Sequence, residues 1–315
     1  MVKGIFLSVL ASTVFGILYF YSQFLKIFDG SQTFGWRMIS LLPFLTLFMW
    51  FSGDLKLIRQ IYDRVKQKPS FFLLLILTSV MAAVQLWLFL WAPMHGRGMQ
   101  VSLGYFLLPL VLVLVGSVFY KEKLSWFQKI AVLCAVLGVV HEIWRMGTIA
   151  WETLLVALGY SAYFFLRKMI KTDHLGGFWW DNVLMLPVAI YFIQTWTLPW
   201  STFLEQPHLI AAVTGLGVLS AIGLGSYILA SRYLPMVLFG LLSYLEPVLL
   251  AISAVILGEK IHSEEWFTYI PIWCAVGILV LEGMWHIYLQ QRKRQALITN
   301  IEKFSERTAS HRKDE

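Results

Sequence analysis

Three runs of the chain, residues 4–25, 99–120 and 209–231, contain no charged side chain. Each is close to the ~20 residues that a helix needs to cross the hydrocarbon core of a bilayer. Seven further segments approach the same length with at most three charges apiece, near 31–51, 70–92, 124–144, 150–168, 178–198, 235–257 and 266–288. Ten crossings follow. Uninterrupted apolar runs of this length do not alternate as barrel strands do, and lipid offers the backbone no hydrogen-bonding partner, so the crossings are helices. Of the 315 residues 58% are hydrophobic and only 14% charged, which excludes a soluble domain. Lys3 and the small residues Ala11, Ser12 and Thr13 resemble a signal peptide, but the apolar run continues to Leu25 and reads as a retained first span.

Charge sets the orientation. With the N-terminus inside, 20 of the 25 Lys and Arg residues fall in cytoplasmic pieces, among them Lys56, Arg59, Arg64, Arg167, Lys168, Arg232 and seven in the tail. Only Lys26, Arg97, Arg145 and Lys260 fall outside, and Arg37 lies within a span. By the positive-inside rule both ends are cytoplasmic. The net charge of +7 is then a consequence of topology and calls for no nucleic-acid partner. Cys134 and Cys274, each inside a span, read as small packing residues with no metal or redox pairing.

The chain also repeats itself. "FGWRMISLLP" (34–43) aligns with "FWWDNVLMLP" (178–187), placing Arg37 opposite Asp181 and Pro43 opposite Pro187. "CAVLGVVHE" (134–142) aligns with "CAVGILVLE" (274–282), and "YFLLPLVLVLVGSVFYKEK" (105–123) with "SYLEPVLLAISAVILGEK" (243–260). Three matches in one order indicate two homologous halves, 1–145 and 146–290, followed by a basic tail, 291–315. Five spans per half make the second copy enter from the opposite face. Inverted repeats of this kind build secondary transporters, with the binding site at mid-membrane between the halves.

Candidate site residues follow from what lipid penalises. A charge at the bilayer centre costs about 2.5–3.5 kcal/mol, so Arg37 and Asp181 are expected to face protein or water; the alternative for Arg37 is to snorkel to the headgroups. Their inverted depths argue against a mutual pair. Pro109 frees the carbonyl of Tyr105, and Pro247 that of Ser243, at matched places in both halves, as in the kinked helices of transporter sites. Glu246, beside Pro247, is a candidate for proton coupling or for binding a substrate amine, against a purely structural hydrogen-bonded role. Gln85, Gln100, Ser102, Ser220, Ser226 and Tyr227 offer polar groups on the inner spans, and Trp87, Trp91, Tyr105 and Tyr244 offer flat rings suited to aromatic solutes. Glu142 and Glu282 read as solvated helix ends, and Glu122-Lys123 and Glu259-Lys260 as local ion-pair turns. The glycines from Gly215 to Gly225 permit close helix approach.

The stretch "LGYFLLPLVLVLVGSVFYKEKLSWFQKIAVL" (103–133), with "LWAPM" (90–94), "GYSAYFFLRKMI" (159–170) and "IHSEEWFTYIPIWCAVGILVLEG" (261–283), resembles the RarD-type permeases of the drug/metabolite transporter superfamily, whose halves are EamA domains. The resemblance implies an all-α membrane protein of ten transmembrane helices in two inverted five-helix repeats, in a bacterial inner membrane, exporting drugs or metabolites. This chain departs from that pattern at Phe15-Gly16, at Pro93-Met94, and at Glu246, where the family carries a small residue.

The expectation is a secondary transporter of small amphipathic or aromatic solutes working by alternating access, with protons as a candidate coupled ion and solute uptake as the alternative. Its partners are the solute and the lipid, and its assembly a monomer or loose homodimer. No cofactor or metal is expected. The seven histidines are scattered, giving no catalytic constellation, and neither a ring of charge nor a filter loop points to a channel.

Overall fold

The computed structural model describes residues 2–196, 202–256, 263–282 and 285, and among them every regular element is helical. Helix α1 (Val2–Tyr21) runs into a 3₁₀ turn and is followed by α2 (Gly30–Phe51), α3 (Leu55–Gln67), α4 (Ser70–Met94), α5 (Gly98–Phe119) and α6 (Trp126–Met146). In the second half, α7 (Trp151–Leu154) passes through a π-helical turn, Leu155–Tyr160, into α8 (Ser161–Met169). Then come α9 (Leu175–Gln194), the short α10 (Thr202–Glu205), α11 (Pro207–Tyr233), α12 (Met236–Leu242), α13 (Leu245–Ile256) and α14 (Trp266–Glu282).

Among the described residues six helices are long and apolar enough to cross a membrane: Gly30–Phe51, Ser70–Ala92, Gly98–Phe119, Trp126–Met146, Leu175–Gln194 and Pro207–Tyr233. Shorter apolar helices occupy Val2–Leu18, Met236–Leu249 and Trp266–Glu282. Two expected crossings are not continuous α-helix. The segment at 150–168 contains the π turn, and the one at 235–257 breaks at Ser243 and Tyr244, just ahead of Pro247, whose missing N–H interrupts the helical ladder. The tail beyond Trp285 and the Glu259-Lys260 turn lie outside the described residues.

Local chemistry fixes where helices start. Asp29 Oδ1 accepts the Gln32 N–H at 2.7 Å while Gln32 Oε1 accepts the Asp29 N–H at 3.1 Å, a reciprocal cap on α2. Ser125 and Gln128 cap α6 in the same way. Glu122 is not in a local ion-pair turn: its carboxylate accepts the N–H groups of Met236 at 2.8 Å and Val237 at 2.7 Å, capping α12 from the other half of the chain. Glu142 and Glu282 are buried rather than solvated. Glu142 accepts from Arg145 at 2.6 Å and from Thr268 Oγ1 at 2.8 Å, tying α6 to α14. Cys134 packs at the edge of that α6–α14 core, whereas Cys274 is exposed.

Glycines carry the closest contacts, as lipid-embedded helices require where no hydrophobic drive separates helix from tail. A Cβ on Gly35 of α2 would stand 2.6 Å from the Ala189 carbonyl oxygen of α9. Further along the same pair of helices, Trp179 Nε1 donates to Thr46 Oγ1 at 2.8 Å. On α11, a Cβ on Gly217 would meet the Ser40 carbonyl oxygen at 2.5 Å, but one on Gly225 only Leu175 Cδ2 at 3.8 Å.

Gly217→Ala is therefore expected to cost about 1–3 kcal/mol by overpacking against backbone, and Gly225→Ala to leave stability unchanged or slightly raised. Unfolding temperatures of the two purified variants in detergent check this.

Candidate functional site

Two layers of polar side chains lie inside the helix bundle. The tighter one is built on Asp181, in the second turn of α9. Its Oδ1 accepts from Thr78 Oγ1 at 3.0 Å and its Oδ2 from the Tyr163 hydroxyl at 2.9 Å, while Ser79 Oγ donates to its backbone carbonyl at 3.0 Å. Arg167 Nη1 stands 3.3 Å from Asp181 Oδ2. None of Thr78, Tyr163, Arg167 and Asp181 is more than 1% exposed. Arg167 was counted above among the cytoplasmic loop charges; it is instead a buried partner. Asp181 thus locks α4, α8 and α9 together and faces protein, one of the two surroundings expected for it. No sequence spacing announced the match, because Thr78, Tyr163 and Arg167 meet Asp181 only through the fold.

Next to this layer His174 caps α9, its Nδ1 accepting the Gly177 N–H at 3.3 Å. Burial, followed by the charges of Arg167, Arg232 and Arg64, lowers its pKa to about 4.

The second layer is looser. Arg37, two turns into α2, is only 4% exposed, so it does not snorkel to the membrane surface. Its Nε donates to Ser220 Oγ of α11 at 2.9 Å, and among the described residues its terminal nitrogens have no protein acceptor. Glu246 follows the break between α12 and α13, its N–H donating to the Ser243 carbonyl at 3.2 Å. Its carboxylate takes no protein hydrogen bond among the described residues, and the residue keeps part of its surface open although it lies deep in the bundle. Arg37 and Glu246 are within electrostatic reach of each other without forming a contact ion pair. Tyr105 and Tyr160 lie within reach of both charges, and Tyr227 within reach of Glu246. The Tyr227 hydroxyl pairs with Ser243 Oγ at 3.1 Å.

From this layer a partly exposed aromatic row leads toward the Gly30 end of α2. Tyr105 packs in one cluster with Trp87 and Trp91. Trp87 stacks on Trp91 at 5.0 Å between centroids, and its Nε1 donates to Ser31 Oγ at 3.0 Å. The Asp181 layer lies toward the opposite end, near the starts of α4 and α9.

Other candidates lie elsewhere. Gln85 donates to the Leu155 carbonyl at 2.7 Å, joining α4 to the π turn. Tyr244 is fully buried, and its hydroxyl donates to the Phe106 carbonyl at 3.0 Å. Ser102 is exposed near the start of α5. Pro109 packs within α5, where its carbonyl oxygen would be 2.9 Å from a Cβ on Gly240 of α12. Tyr160, which the residue-by-residue search missed, is placed by the π turn, an irregularity that marks functional positions; its only earlier signal was the family-like "GYSAYFFLRKMI". An open cleft of about 720 Å³, bounded by Ile39, Pro43, Trp50, Leu55 and Leu186, is apolar and lies on the outside of α2 and α9, away from both layers.

The EamA-like transporter family model matches residues 2–141. A chloramphenicol-sensitive protein RarD of Pseudomonas aeruginosa is 40% identical over 275 residues, covering 87% of this chain and 92% of the relative. An uncharacterized transporter of Pasteurella multocida is 38% identical over 285 residues, covering 90% and 97%. A solved structure, described only as a protein crystal structure, superposes with a TM-score of 0.64 at 16% identity, covering 88% of this chain and 97% of its own, a likeness of fold.

Removing Asp181's charge strands a buried guanidinium. Asp181→Asn is expected to cost about 3–5 kcal/mol, and Arg167→Met with Asp181→Leu to recover most of it; thermal unfolding in detergent reads both. His174 is neutral in the folded protein down to about pH 4 but protonates near 6.5 when unfolded. The unfolded state therefore binds the extra proton between those values, so stability is intact above pH 6.5 and falls as pH drops toward 4. His174→Asn, which keeps a capping side chain, is expected to flatten that dependence in pH-resolved melting curves.

Proposed function

Because the chain belongs to the EamA-like transporter family, in its RarD-type group, and is a multi-pass inner-membrane transporter, we propose that it is a secondary transporter exporting small amphipathic or aromatic solutes by alternating access. The solute sits in the loose polar layer among Arg37, Tyr105, Tyr160, Tyr227 and Glu246, and its flat part rests on the Trp87–Trp91 row. The observation that carries this reading is the open layer itself. A protein that only needed to fold would pair or exclude an arginine and a glutamate at this depth, as it does with Arg167 and Asp181.

Alternating access needs two halves that move against each other around such a layer. The inverted-repeat reading, with ten crossings and both termini cytoplasmic, draws on the alignment of the halves and on the close packing of α2 against α9, the helices that carry the aligned "FGWRMISLLP" and "FWWDNVLMLP". It draws also on a family match confined to residues 2–141, the length of one half. In this scheme the closed Arg167–Asp181 layer is the cytoplasmic barrier and the aromatic row the outer approach. Glu246 is the residue through which a proton gradient would act, since it is a carboxylate without a fixed partner.

Proteoliposomes loaded with aromatic amines, amphenicols, nucleosides or amino acids test the reading. At least one class is expected to show saturable counterflow, and Arg37→Gln to reduce it about tenfold or more, the rate equivalent of ~1.4 kcal/mol. Conductance that grows linearly with voltage would point to a channel instead. Thiol labelling of single cysteines placed in the loop at 52–54 and at residue 96, applied from either side, checks the orientation.

A further inference from the structure

The apolar cleft between α2 and α9 belongs to neither polar layer, yet at about 720 Å³ it has the size of a ligand site, for which roughly 300–1,000 Å³ is usual. Its wall on α2 runs from Ile39 to Trp50 and ends on Leu55, the first residue of α3, while α9 supplies Trp179 and Leu186. About three turns of helix, roughly 16 Å, separate Ile39 from Trp50. Half of a hydrocarbon core of ~30 Å is about the same length. The cleft therefore spans one leaflet, from mid-helix to a surface end marked by the exposed, stacked rings of Trp50 and Phe51. Its wall is apolar apart from Thr46 and the indoles, and Thr46 is spent within it. That hydroxyl accepts from Trp179 Nε1 at 2.8 Å and donates to the Leu42 carbonyl at 2.7 Å. A hydrocarbon chain fits such a space, and a polar solute does not.

The chemistry changes where the cleft ends. Leu55, Arg59, Tyr62 and Lys66 recur at helical spacing and form one exposed stripe along α3, with Lys56 exposed beside it. The other side of α3 is packed, Ile61 and Val65 lying in one cluster with Phe71, Ile170 and Trp180. Arg64 is turned to that side, donating to the Ile170 carbonyl at 2.9 Å. Arg59, one turn beyond Leu55, and Lys56 form no hydrogen bond or ion pair among the described residues, although Asp54 and Asp63 are on the same stretch of chain.

We infer that the cleft and the α3 stripe together bind an anionic phospholipid, one acyl chain lying along α2 and the phosphate of the headgroup meeting Arg59 and Lys56. Length and charge select this occupant. The apolar part is as deep as one leaflet, and the cations stand at its surface end, where a headgroup phosphate lies. A guanidinium matches phosphate oxygens two at a time, and basic residues on an amphipathic surface helix attract acidic lipid. A second copy of this chain packed here about a two-fold axis would set basic stripe against basic stripe. The site lies outside both polar layers, so it does not depend on which solute is carried.

The test adds phosphatidylglycerol or phosphatidylcholine, with identical oleoyl chains, to the delipidated full-length protein in detergent, and native mass spectrometry counts the lipid retained. Phosphatidylglycerol is expected to bind roughly tenfold or more tightly than phosphatidylcholine, the scale set by two basic residues near a membrane surface. That margin should vanish in the double variant Lys56→Gln, Arg59→Gln and shrink as salt is raised. Leu47→Trp fills the cleft from a side chain that is already exposed, and should weaken both lipids by a similar factor. All three substitutions alter exposed side chains, and unchanged melting temperatures check that the variants keep the fold. Equal binding of the two lipids, or a preference that the double variant retains, would overturn the inference. Phosphatidylglycerol binding that Leu47→Trp leaves untouched would overturn it as well, α3 then acting only as a charged surface. A dimer in lipid-free detergent that Leu47→Trp dissociates would give the cleft to a second copy and reject the lipid.

Discussion

A charge taken from water into the middle of a bilayer must be met by protein, by trapped water or by cargo, and the inside of this molecule is arranged around three such charges and a fourth that answers one of them. Arg167 and Asp181 meet each other. Their layer is buried and reinforced by Thr78, Tyr163 and Ser79. Arg37 and Glu246 lie in a second layer without a contact ion pair between them. Everything else, from the glycine contacts between helices to the carboxylate cap that Glu122 places on α12, serves to hold these layers at fixed depth in a medium that satisfies no backbone group.

The two layers differ in how their charges are met. The carboxylate of Asp181 accepts from Thr78 and Tyr163 and faces Arg167 across 3.3 Å, while the Arg167 nitrogens themselves make no hydrogen bond among the described residues, so losing Asp181 is costly because the guanidinium remains. Groups with unspent hydrogen-bonding capacity, anchored through one atom and free at the rest, are poised to take something else. Ser220 on Arg37 and the helix break at Glu246 are anchors of this kind. The aromatic row through Tyr105, Trp87 and Trp91 flanks that layer with partly exposed rings that tolerate both water and apolar surroundings.

Much of this was legible in the sequence. Helical crossings followed from charge-free length, and the burial of Arg37 and Asp181 against protein followed from their cost in lipid. What could not be read was partnership. Arg167 sits in a run, "FFLRKM", that looks like an ordinary basic helix end, and only the approach of α9 reveals Asp181 beside it. Glu142 looked like a solvated helix end and Glu122 like half of a local ion-pair turn for the same reason: a terminal carboxylate gives no sign in one dimension of the helix that will cover it. Gln85 and Tyr244, read as candidates for binding, instead serve interhelical hydrogen bonds, since a polar atom on an inner span has two possible callings and composition favours neither. The π turn that brings in Tyr160 is invisible too, because one extra residue in a helix leaves its apolar pattern almost intact.

That turn has a mechanical meaning. Tyr160, at its end, is within reach of Glu246 and of Asp181, and Arg167 follows seven residues later on the same rod, roughly 10 Å along its axis. The layer of Arg37 and Glu246 and the Arg167–Asp181 pair are therefore joined by one helical rod, with the wider π turn ahead of Arg167. A displacement of Tyr160 along that rod would be carried to the guanidinium seven residues on.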